Sequence, residues 1–171
     1  MIGTFRKKRR PDHPLPRTLM GRYLRAIALR LDRESKAPLI EDLRRVGEIN
    51  STDLQLAIFP IAVRTVFFHE DNMATIPEFA GEMQEAFGKD AKARETELLI
   101  RAALGQPAAI DDIDPWVAVV IKSLTFMRFA DMLASRKMDA ESFVNPIIID
   151  AERDLAQRGI LLTPASQSAT R

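Results

Sequence analysis

Glycine, proline and short polar capping residues punctuate this chain at intervals that fit helix ends, and between them apolar side chains recur every three or four positions. That period places apolar groups on one side of a helix, and no alternating run is long enough to argue a sheet. The chain therefore reads as all-α: a single-domain bundle of six to seven helices over residues 17–162. A flexible basic N-terminal arm covers residues 1–16, and a disordered C-terminal tail covers 163–171. A length of 171 residues, 46% hydrophobic, suits one core that removes roughly 70% of the unfolded surface from water.

The helix ends can be placed individually. Residues 18–34 form a first, basic and amphipathic helix, with Met20, Tyr23, Leu24, Ile27, Ala28 and Leu31 on its apolar side. Pro38 suits the first turn of a short second helix over 39–46, and Gly47 its left-handed stop. Thr52 with Gln55, and Thr75 with Glu78, have capping-box spacing for a third and a fourth helix. Pro60 should bend or split the third, and Gly81 marks a close helix contact in the fourth. A fifth helix over 90–104 stops at Gly105, and Asp114-Pro115 opens a sixth over 116–135, apolar on nearly every side and expected at the bundle centre. For the last helix, Asp139 and Asn145-Pro146 are both possible starts, with Gly159 as the stop.

Charge is distributed unevenly. Residues 1–33 hold ten Lys/Arg against two Asp/Glu, a local +8, while the rest of the chain holds 15 against 22, or −7. Five adjacent cations, Arg6, Lys7, Lys8, Arg9 and Arg10, repel one another and cannot enter a core. With Arg17, Arg22 and Arg25 they form the candidate surface for an anionic partner. A protein partner or self-association is the leading expectation. Phosphate backbone of a nucleic acid and an anionic membrane surface are the alternatives.

Several function classes recede. The absence of cysteine excludes disulfides, thiolate metal sites and a cysteine nucleophile. Prolines 11, 14 and 16 and the following arginines break any secretory pattern, so a cytoplasmic chain starting at Met1 is expected. The apolar runs 54–68 and 116–129 are interrupted by Arg64 and by Lys122 and Arg128, which makes them core helices and not transmembrane segments. His13 and His69 are the only imidazoles, and Val66 stands where a di-metal Glu-x-x-His pair would need its carboxylate, so no metal and no cofactor is expected. No Gly-x-Ser-x-Gly turn and no glycine cluster ahead of a helix is present, so no catalytic residue is assigned and a non-enzymatic role is favoured. Glu82 with Glu85, Glu95 with Glu97, and Asp150 with Glu152 and Asp154 read as solvated helix faces. A helix-turn-helix over 129–150 fails on charge, because its second helix carries Asp139, Glu141 and Asp150 and would repel phosphate.

Charges on otherwise apolar helices are a second feature. Arg64, Lys122, Arg128 and Asp131 must be paired or reach the surface, and together they are a candidate buried polar pocket for an anionic small molecule. Arg128 and Asp131, three apart, have the spacing of an ion pair. Phe67, Phe68, Met73 and Ile76 crowd one helix end and could form a subunit contact. The expected function is thus a non-catalytic interaction or assembly module acting through its basic arm. The alternatives are a small-molecule-binding protein or enzyme with a site inside the bundle, and a nucleic-acid-associated protein.

Overall fold

The computed structural model describes residues 13–68 and 74–165. Arg6, Lys7, Lys8, Arg9, Arg10, His69 and Met73 lie outside the described residues. Seven α-helices appear among those described: α1 (Leu19–Ala28), α2 (Arg33–Arg45), α3 (Asp53–Phe67), α4 (Ile76–Phe87), α5 (Ala93–Ala103), α6 (Pro115–Ser135) and α7 (Glu141–Gln157). A short 3-10 turn, Gly88–Asp90, joins α4 to α5. The only β feature among them is an isolated antiparallel bridge between Thr18 and Pro164. The chain is all-α.

The first expected helix, 18–34, ends early at Ala28, and the expected second helix starts at Arg33 and not at residue 39. After Ala28 the chain turns through Arg30 at φ 52, with Leu31 N donating to Ala26 O at 2.9 Å, and Asp32 then caps α2 by accepting from Ser35 N at 2.7 Å. This is the hydrogen-bond pattern of a helix stop, built on an arginine where glycine is usual. Pro38 consequently lies inside α2 and not in its first turn. Pro60 and Pro146 likewise sit within continuous α3 and α7, each removing one backbone bond without splitting the helix. Thr52 and Thr75 make no side-chain cap, because both have near-helical backbone angles and not the extended ones a capping residue needs. Asp114 does cap as expected, accepting from Trp116 N and Val117 N at 2.9 and 3.1 Å.

The centre of the bundle is α3, which packs against α1, α5, α6 and α7. Leu54, Ala57, Ile58, Phe59, Ala62, Val63 and Phe67 are all buried along it. Helix α6, expected at the centre, buries only the stripe Ile121, Thr125, Phe126, Phe129 and Ala130, and Trp116 at its start is 69% exposed. An all-round apolar helix has no preferred face in its sequence, so its partners decide which side is covered. Phe67, Phe79 and Phe129 form an aromatic cluster with centroids 5.0 to 5.9 Å apart, edge-on or tilted. Phe67 and Ile76 are therefore core residues, whereas Phe68 is 76% exposed.

Candidate functional site

The root of the basic segment is fixed to the bundle by one carboxylate. Glu152 of α7, 8% exposed, accepts from Arg17 N through Oε2 at 2.9 Å, and through Oε1 from Thr18 N at 2.9 Å and Thr18 Oγ1 at 2.7 Å. The Thr18 hydroxyl oxygen in turn accepts from Gly21 N at 2.9 Å, so Thr18 caps α1 while Glu152 places negative charge at the positive end of that helix. The sequence-level reading of Glu152 as solvated is corrected here. It occupies the buried stripe Ile148–Ala151–Leu155, and a carboxylate at that register was the signal available.

Residues on both sides of this anchor are also tied down. His13 Nε2 donates to Asp139 Oδ2 at 2.8 Å, and Pro16 is buried. From the other end of the chain, Thr163 O accepts from Leu19 N at 3.0 Å and Ala165 N donates to Arg17 O at 2.8 Å. Thr163 also donates from N and Oγ1 to Glu48 Oε1 at 2.9 and 2.6 Å. Residues 13–16 and 163–165 thus belong to the folded body, although the sequence assigned them to arm and tail.

The basic residues of the candidate surface separate into two groups. Arg17 is exposed and its guanidinium has no ion pair among the described residues, and Arg22 is half-buried with Nε donating to Pro16 O at 3.3 Å. Arg25 is paired within the fold. Its Nε donates to Asn145 Oδ1 at 2.9 Å, and its guanidinium lies 3.1 Å from Glu141 with the side chain only 16% exposed. Beside them runs a groove of about 550 Å³ between α1 and α2, floored by Leu19, Ala26 and Leu39 and edged by Arg22, Asp32 and Asp42. The bond from Ser35 N holds the Asp32 carboxyl below its ordinary range.

The second set does not converge, which corrects the expected polar pocket. Arg64 is exposed and donates to Ala103 O at 3.2 Å. Arg128 pairs with Glu82 at 3.0 Å, and Asp131 with Arg30 at 2.5 Å, so the expected Arg128–Asp131 pair is not made. Lys122 alone faces apolar surroundings, with its ammonium 5.8 Å from the centroid of Phe59 and its pKa lowered by burial. Among the described residues no group of three or more His, Asp or Glu is placed to hold a metal ion. No helix among them is long and apolar enough to cross a membrane.

Neither the family models, nor the curated proteins, nor the solved structures contain a match to this chain. The chemistry of the site must therefore be read from its own atoms. Two kinds of action are physically available: electrostatic contact through cations standing on a fixed root, and occupancy of small apolar recesses.

Proposed function

We propose that this chain is a non-catalytic interaction module, in a cytoplasmic setting, whose N-terminal basic segment engages an acidic surface of a protein partner. The observation that supports it is the root itself. Glu152 fastens the backbone of Arg17 and Thr18 and leaves the Arg17 guanidinium exposed, so the described chain next to the basic run is tied to the bundle. A fixed origin lowers the entropy cost of placing the segment on a partner. Helix α2 next to it buries only Leu43, which leaves an outward face for further contact.

The test compares the full chain with a variant lacking residues 1–12 and with Arg17→Ser, on immobilised poly-glutamate over a salt series. Residues 13–16 are kept because His13 and Pro16 contribute to the folded body. The full chain should be retained at low salt and released as salt screens the contact, the truncation should lose retention, and Arg17→Ser should weaken it. Thermal melts of all three should coincide. Equal retention of the truncation sinks the proposal. Retention on nucleic acid or anionic vesicles, with none on poly-glutamate, shifts it to the corresponding alternative.

A further inference from the structure

A small cavity of about 120 Å³ lies where α1, α3 and α6 meet. Its walls are Leu24 and Ile27 from α1, Ile58 from α3, and Phe126 and Met127 from α6, and its polar lining is Gln55, Lys122 and Ser123. Ser123 donates its hydroxyl proton to Val119 O at 2.9 Å, so toward the cavity it offers only acceptor capacity. Lys122 is the single charged residue of the lining. It is half-buried, and no carboxylate among the described residues pairs with it. Its ammonium lies over Phe59, a side chain itself 3% exposed.

A cation brought partly out of water beside an apolar recess is costly unless an anion or a π-face compensates it. Phe59 supplies part of that compensation, and no carboxylate among the described residues uses the donor capacity of the amine. The volume limits the rest of the ligand. It is far below the roughly 300–1,000 Å³ of drug-sized sites and somewhat below the roughly 150 Å³ that holds one benzene. An aliphatic tail of about three or four carbons fills it, with a polar head left at Lys122.

We infer that this cavity binds a short aliphatic carboxylate, its tail among Leu24, Ile27, Ile58 and Phe126 and its carboxylate on the Lys122 ammonium. Of the four charged residues that the sequence singled out on apolar helices, only Lys122 has this geometry, and the site is independent of the basic N-terminal segment. Burial lowers the pKa of Lys122, and a bound carboxylate would oppose that shift by favouring the charged amine.

The experiment is methyl NMR on the full chain, titrated with butyrate, 1-butanol and n-butylammonium at matched ionic strength. Butyrate should move the Ile27, Ile58 and Met127 methyl signals saturably, about tenfold more tightly than butanol, as one charge-assisted hydrogen bond allows. Butylammonium should not move them. Lys122→Met keeps the volume and should bring butyrate down to the level of butanol or below, with Lys122→Gln as a second variant if the first disturbs the fold. Butanol matching butyrate in the natural chain, unmoved methyls, or undiminished butyrate binding in either variant overturns the assignment.

Discussion

The carboxylate of Glu152 and the bare Cα of Gly21 fit one another: Glu152 Oε1 fills the space that a β-carbon at position 21 would need. Pro16 Cβ and Thr18 Oγ1 close the remaining sides, 2.9 and 3.0 Å from that point. The glycine lies inside a helix at an ordinary backbone conformation, so its role is space and not φ. Through this contact, the origin of the basic segment, the cap of α1 and the middle of α7 become one unit.

Alanine substitution at two helical glycines should therefore act in opposite directions. At an exposed helix interior the change normally stabilises by about 0.5–1 kcal/mol, and Gly81 has open space around its missing β-carbon, so Gly81→Ala should gain about that much. Gly21→Ala must displace Glu152 or the N-terminal strand of contacts and should lose about 1–3 kcal/mol. Urea denaturation of both variants measures the pair. A neutral Gly21→Ala would mean the Glu152 contact yields without cost.

These two glycines also mark how far the sequence could be read. Gly81 looked like a close-contact site and is open, while Gly21, unremarkable in sequence, is the crowded one. Helix stops carried by glycine, such as Gly47 and Gly105 at φ 78, were legible because the residue type and the conformation coincide. The break after α1 was not, since Arg30 takes the left-handed position and arginine carries no such signal. The candidate site followed the same logic. Charge density located the basic segment, but which arginines stay outside depends on partners distant in sequence. Arg25 is taken by Glu141 and Asn145, and Arg128 by Glu82 where local spacing had favoured Asp131.

The end of α6 offers a test of that conformational reading. Lys137 sits at φ 57, with Met138 N donating to Leu133 O at 3.0 Å, so it holds the stop position without a glycine. A left-handed residue with a side chain costs roughly 1–2 kcal/mol, part of which glycine returns through its more flexible unfolded state. Lys137→Gly should stabilise the chain by about 0.5–1 kcal/mol in thermal or chemical unfolding. A loss of stability would mean that the lysine side chain, and not the backbone, matters there.

Acid stability should depend on the pair that holds residue 13. The hydrogen bond from His13 lowers the pKa of Asp139 from its ordinary 3.8, with desolvation opposing and the Glu141 amide adding to the effect. A carboxyl with a depressed folded value stabilises the native state above pH 3.8, and that contribution disappears as pH falls through the folded value. Asp139→Asn should be less stable than the natural chain near neutrality and converge with it in strong acid. Denaturant midpoints measured between about pH 2 and pH 6 follow this directly. Parallel curves for the two proteins would remove Asp139 as a source of the acid limb.

Helix α2 is the part of the bundle most easily released. Of its 13 residues only Leu43 is buried, at 0% exposure, and its principal packing partner is α1. Truncation of a buried leucine ordinarily costs about 2–5 kcal/mol, but that range assumes the rest of the structure stays in place around the gap. Here the helix has no second buried side chain to hold it, so Leu43→Ala should free α2 locally while α3, α6 and α7 keep their packing. The global unfolding midpoint then falls by less than the full cavity cost. Amide exchange should separate the two cases, with α2 amides losing protection by at least about tenfold and those of α3 unchanged. If α2 and α3 lose protection together, Leu43 belongs to the cooperative core and the outward face of α2 is not independently mobile.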